Sequence, residues 1–162
     1  MASRALAITV ILLFGWIGLS PASAASESEF YAALFRKETA TVEDAVRLLA
    51  RLGGYDGPER IESELRFLAE SGVKFRKDVA VIRNSRLTTG NLAHMMIDAL
   101  RLKGGVMARV FPGSQRYAVR QAVYLGLLPS DRSPDDVVSG KDLLGFVSKL
   151  AQTMAKQVAR NE

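Results

Sequence analysis

The chain has 162 residues, 22 Lys plus Arg against 17 Asp plus Glu, and no cysteine. The missing cysteine excludes thiol catalysis, Cys-ligated metals and disulfide stapling, so stability must come from packing. The basic excess is too small and too dispersed to argue for nucleic acid, yet it suits anionic glycans or lipid headgroups.

Met1–Arg4 is a short positive segment, and Ala5–Leu19 is an apolar run that ends at Ser20 and Pro21. Ala22-Ser23-Ala24 then supplies the small residues of a cleavage site. This is the three-part pattern of a secretory signal peptide over residues 1–24. The run is shorter than the roughly 20 residues of a spanning helix. Cleavage after Ala24 removes Arg4, leaving 21 cationic against 17 anionic side chains, a net charge of +4. No later stretch approaches spanning length, so no transmembrane segment is expected after cleavage. The expected location is exported: periplasmic or associated with the cell envelope. An uncleaved N-terminal anchor in the inner membrane is the alternative.

Residues 25–40 read as a loose polar lead-in over Ala25–Glu29 and a short helix near 28–37, where Phe30, Tyr31, Leu34 and Phe35 recur at helical spacing. Thr41 caps the next helix, with Val42, Ala45, Val46, Leu49 and Leu52 on one side and Gly53-Gly54 as its stop. Pro58 suits the first turn of a helix over 58–71, striped by Ile61, Leu65 and Leu68, widened by Phe67 and ended by Gly72. Val79–Ile82 suggests a short extended piece. Thr88 caps a helix through Leu92, Met95, Met96, Ala99 and Leu100, terminated by Gly104-Gly105. Val106–Phe111 is either a short helix or a buried strand. Ser114 caps a helix ending at Gly126, Leu128–Val138 is a loop, and Ser139 caps the last helix through Leu143, Leu144, Val147, Leu150 and Met154. The tail over 157–162 should fray.

Three helix starts align without gaps. Thr41, Thr88 and Ser139 are the caps, spaced 47 and 51 residues apart, and Asp44, Asn91 and Asp142 stand three residues on. Gly72-Val73 and Gly126-Leu127 each close a preceding helix. The unit is helix, glycine, apolar residue, loop, capped helix, and such spacings suit stacked units sharing a core. The expected fold is therefore all-α: one compact domain of about three degenerate helix-pair repeats over 41–156, after a cleaved signal peptide.

Arg86-Leu87-Thr88-Thr89-Gly90-Asn91-Leu92-Ala93 and Val138-Ser139-Gly140-Lys141-Asp142-Leu143-Leu144 resemble the second-helix start of an S-layer homology repeat. Ala69–Val73 and Val123–Leu127 resemble that repeat's first-helix end. The resemblance covers roughly residues 60–155, with Thr41–Leu52 as a partial third copy. It implies a helical prism of three repeats that binds anionic cell-wall polymers. The family's binding run, Thr-Arg-Ala-Glu, is replaced here by Thr88-Thr89-Gly90-Asn91 and Ser139-Gly140-Lys141-Asp142, so no binding residue carries over.

For chemistry, His94 is the lone histidine, with Asp98 one helical turn on. That pair could orient an imidazole for acid–base work. No motif supplies a nucleophile or second base, so no catalytic residue is assigned and the chain is read as no enzyme. The rival is a small periplasmic enzyme with a polar pocket near His94 and Asp98. Gly53-Gly54 and Gly104-Gly105 lack the strand context and Lys-Ser/Thr ending of a phosphate loop. Asp131, Asp135 and Asp136 miss the spacing of a calcium loop. Neither a metal nor a cofactor is expected.

The best binding candidate is basic: Arg109, Ser114, Arg116, Tyr117 and Arg120. Helix starts attract anions, arginine forks grip carboxylate or phosphate, and Arg116 and Arg120 share a face four residues apart. A solvated face with ion pairs is the plainer reading of the same arginines. Lys74, Arg76 and Lys77 form a second, weaker cluster. The expected role is an exported, non-catalytic envelope binding or scaffold module, whose partner is an envelope protein, an anionic glycan or a lipid headgroup.

Overall fold

The structure, a computed structural model, describes residues 21–75, 79–100 and 113–161. Among the described residues the fold is all-α and compact. Its helices are α1 (Pro21–Arg36), α2 (Val42–Leu52), α3 (Ile61–Glu70), α4 (Val79–Ile82), α5 (Thr89–Ala99), α6 (Gln115–Tyr124) and α7 (Gly140–Asn161). The apolar run over 5–19, the basic residues Arg76 and Lys77, the Gly104-Gly105 stop, the ambiguous segment 106–111 and Arg109 all lie outside the described residues.

The helices pair by packing α2 on α3, α5 on α6 and α1 on α7. Each contributes part of one core, in which Leu34, Val46, Leu87, Leu92, Met96, Leu127, Val138, Leu143 and Leu150 are fully buried. Burying a side chain of this size stabilises by roughly 1.5–3 kcal/mol, before entropy is counted.

The middle of the molecule is closed by backbone. Leu87 donates its N–H to the Ala40 carbonyl at 2.8 Å, Ala40 donates to Val138 at 2.8 Å, and Val138 donates to Leu87 at 3.0 Å. These three bonds form a closed ring, and its members are all completely buried. Each stands one residue before Thr41, Thr88 or Ser139. A buried backbone group must find a partner, and here three extended segments satisfy one another without a sheet. Short antiparallel bridges join Thr41 to Arg86 and Thr88 to Val137.

The same three caps work locally. The Thr41 hydroxyl accepts from Asp44 N–H at 3.2 Å, that of Thr88 from Asn91 N–H at 3.4 Å, and that of Ser139 from Asp142 N–H at 3.1 Å. The first amide of each helix is taken by another segment: Val42 donates to Ser85, Thr89 to Asp136, and Gly140 to Lys37. The starts of α2, α5 and α7 are therefore plugged by carbonyl groups from neighbouring segments.

Glycine closes α2, α3 and α6. Gly54, Gly72 and Gly126 all take positive φ, at 86°, 97° and 73°. The following residues Tyr55, Val73 and Leu127 each donate back five positions, to Ala50, Leu68 and Ala122. A left-handed residue lets the chain reverse while those orphan carbonyls are satisfied.

Several local expectations are corrected. Residues 25–29 belong to α1 rather than to a loose lead-in, with Pro21 in the tolerated first turn. Of Phe30, Tyr31, Leu34 and Phe35, only Leu34 is fully buried, while Phe35 stays exposed. The third helix begins at Ile61, not Pro58, because Arg60 occupies the extended cap position without a side-chain cap. Val79–Ile82 forms one helical turn, not an extended piece. Ser114 is an N-cap by position, but its side chain makes no capping bond. The last helix runs to Asn161.

Candidate functional site

The predicted site residues do not all come together. Arg116 and Arg120 lie one turn apart on α6, both exposed, and both line a groove of about 300 Å³. Arg132, from the loop after α6, lines the same groove with Ser130 and Pro134. Ser114, at the N-cap of α6, and Tyr117, within it, are half-buried and do not line the groove. Arg109 lies outside the described residues.

The three arginines differ electrostatically. Arg132 pairs with Asp142 at 2.6 Å, and its guanidinium sits 5.5 Å from the centre of the Phe146 ring. It is held and largely neutralised. Arg116 and Arg120 make no ion pair among the described residues. Two free guanidinium forks beside a fixed third one make a groove that favours anions. The periodicity of α6 placed Arg116 and Arg120 together. Arg132 was missed because the fold of a loop, not spacing, delivers it.

A second cavity, of about 270 Å³, is built around α5. Asn91, His94, Gln115 and Lys74 supply its polar lining, and Val42, Phe75, Val79, Ile82 and Met95 its apolar walls. Asn91 and His94 follow from one face of α5, three residues apart. Gln115 arrives from the start of α6 and donates its Nε2 to Asn91 Oδ1 at 2.8 Å. Gly90 permits that approach, since a Cβ there would come within 2.8 Å of Gln115 Cβ. Asp98, the expected partner of His94, is not in the lining, and its carboxylate accepts the Lys74 backbone N–H at 3.0 Å. Among the described residues no Ser, Thr, Asp or Glu side chain lines this cavity.

A third polar cluster was not foreseen. Glu64 on α3 is 3% exposed and lies 3.7 Å from Arg47 Nε, while Arg47 also pairs with Glu43 at 2.7 Å. Arg51, which stacks over Phe30 at 4.0 Å, reaches Glu59. Burial pushes the Glu64 carboxyl above its ordinary value; Arg47 opposes the shift, and Glu43 and Glu59 add to it. Nothing in the sequence marks Glu64, because its burial arises only when α3 lies against α2.

No group of three His, Asp or Glu suited to a metal ion occurs among the described residues. Among them no helix is long and apolar enough to cross a membrane. No family model matches this sequence, and no curated protein matches it.

Proposed function

We propose that this chain is an exported, non-catalytic binding module of the cell envelope that grips an anionic envelope polymer through Arg116 and Arg120. The observation that carries this reading is the pair of exposed arginines, free of ion pairs among the described residues, in one groove with Arg132. Export rests on the signal-peptide pattern over residues 1–24. Cleavage after Ala24 would fall in the first turns of α1 and leave the core residues in place.

The resemblance to S-layer homology repeats belongs to the same proposal. Support comes from the equivalent positions of Ala40, Leu87 and Val138 in the hydrogen-bond ring and from the matching caps that follow them. The family's Arg and Glu at the second-helix start are absent, and neighbouring carbonyls occupy the first amides of α2, α5 and α7. Binding is therefore assigned to the α6 groove and not to those helix starts.

The rival, a periplasmic enzyme at His94 and Asp98, has less behind it. Asp98 sits outside the cavity lining, and no Ser, Thr, Asp or Glu side chain lines it among the described residues. An inner-membrane anchor is separated by mass spectrometry of the exported protein: Ala25 as first residue excludes it.

The test is a pull-down of the exported protein on isolated cell-wall sacculi across rising salt, beside the double variant Arg116→Ala, Arg120→Ala. Binding should fall several-fold between about 50 and 300 mM salt, as screening shortens the Debye length from roughly 14 to 6 Å. The double variant should lose most of it. Absence of binding at low salt overturns the polymer reading, and a double variant that binds normally moves the site elsewhere.

A further inference from the structure

The cavity on α5 is separate from the arginine groove, and its chemistry is different. Phe75, Val79, Ile82 and Met95 make its walls apolar. At about 270 Å³ it is too small for a polymer chain and suits one small molecule. Lys74 also lines it, and among the described residues no Asp or Glu does. The backbone at Lys74 is tied down. Val73 donates its N–H to the Leu68 carbonyl at 2.9 Å, where α3 closes, and Lys74 donates its own to the Asp98 carboxylate at 3.0 Å. The side chain is not tied down. Lys74 is exposed, and its ammonium group forms no ion pair among the described residues.

The rest of the polar lining does not change the sign of that charge. Imidazole is neutral or cationic, so His94 never opposes an anion. Asn91 and Gln115 are uncharged and bonded to each other. The cavity therefore joins apolar walls to one uncompensated positive charge. A cation would be repelled by Lys74, and a neutral apolar molecule would gain nothing from it. A phosphate dianion would bring two charges to meet one. A monoanion with an apolar body matches both parts: its body leaves water for the walls, and its charge meets the ammonium group. Lysine carries that charge on a flexible stem, so the pair can form at the cavity mouth without a preset angle.

We infer that this cavity binds a small carboxylic acid as its anion, with a branched aliphatic or aromatic body against Phe75 and Met95 and its carboxylate at Lys74. The chain then carries a small-molecule site in addition to its basic groove. This inference stands independently of polymer binding.

The test uses the protein labelled with ¹³C at the methionine methyl groups, titrated with isocaproate and, separately, with isohexanol and isohexylamine, which share its carbon skeleton. Met95 lines the cavity, whereas Met96 is fully buried and Met154 lies in a different hollow on α7, so these methyls act as site reporter and controls. Isocaproate should shift Met95 saturably and leave Met96 and Met154 unmoved, with a Kd on the order of 1–10 mM for so small a probe. Isohexanol should bind about fivefold more weakly, the worth of one exposed ion pair, and isohexylamine more weakly still. Raising salt to about 300 mM should narrow the gap between acid and alcohol. Lys74→Gln should bring isocaproate to the level of isohexanol and leave isohexanol unchanged. Lys74→Glu should favour the amine over the acid. Both variants should keep the fold, since Lys74 is exposed. Arg116→Ala with Arg120→Ala should leave the titration unchanged, so failure here is distinguishable from failure of the polymer reading. No Met95 shift up to about 50 mM, isohexanol binding as tightly as isocaproate, or a Lys74→Gln variant that still prefers the acid would each overturn the inference.

Discussion

Leu87 gives its backbone N–H to the carbonyl of Ala40 at 2.8 Å, although the two residues stand 47 positions apart and neither belongs to a strand. Val138 completes the ring, and all three are sealed from solvent. Buried backbone bonds that tie distant segments open only when the whole core opens. The amides of Ala40, Leu87 and Val138 should therefore be among the slowest to exchange with deuterium. Exchange at the rate of surface-loop amides would show that the ring is not held in solution.

Asp44 has more to lose than its counterparts. Its carboxylate accepts from the Thr41 backbone N–H at 2.8 Å, the Thr41 hydroxyl at 2.8 Å and Lys37 Nζ at 2.7 Å. The result is a reciprocal capping box on α2 with an ion pair added. Asp142 has only its Arg132 partner, and it is more exposed. Asp44→Ala should cost about 2–3 kcal/mol and Asp142→Ala about 1 kcal/mol or less. Urea denaturation of both variants checks the order, and equal losses would refute it.

Gly140 begins α7 beneath α1. An added Cβ would run into the Leu34 carbonyl oxygen and carbon, with Lys37 Cβ at 3.2 Å. Backbone cannot step aside as a side-chain tip can, so Gly140→Ala must push α1 away from α7. A loss of about 1–3 kcal/mol is expected from overpacking. Gly126→Ala faces open space but a left-handed φ of 73°, and should cost about 1–2 kcal/mol. Thermal unfolding of the two variants separates crowding from backbone strain. If Gly140→Ala melts like the parent, α1 does not pack as described.

Glu64 makes stability depend on pH. Its folded pKa is raised, chiefly by burial. A raised folded pKa means that the group's contribution is fully present below the unfolded value near 4.3 and is lost as pH rises through the folded value. Once ionised, the carboxylate is held in a poorly solvated site. Glu64→Gln should therefore melt above the parent at pH 7, and the gap should close towards pH 4. A gap that widens on acidification would reverse the assigned cause, making the Arg47 pair dominant.

Much of the fold was readable in the sequence because it depends on neighbours along the chain. A hydroxyl three residues before a free amide caps a helix whatever surrounds it, and Thr41, Thr88 and Ser139 were recognised on that basis. The same holds for Gly72 and Gly126, where only glycine takes the left-handed turn at no steric cost. Pro58 misled because a proline tolerated in a first turn does not compel one, and the chain starts its helix at Ile61. Val79–Ile82 looked extended by β-branching, yet it packs as one helical turn against α2 and α3.

The candidate site divides in the same way. Arg116 and Arg120 were legible as a pair because four residues on a helix is one turn, a distance set locally. Arg132 in their groove, Gln115 against Asn91 and Glu64 beneath Arg47 were not. Each of these contacts joins residues far apart in the chain, and its existence depends on which helix faces which. The sequence determined the helix ends, the caps and the apolar faces, since those follow from bonds within one turn. Only tertiary packing decided the buried ring, the third arginine and the Asn91–Gln115 pair, because each needs two separate segments of the chain to come together.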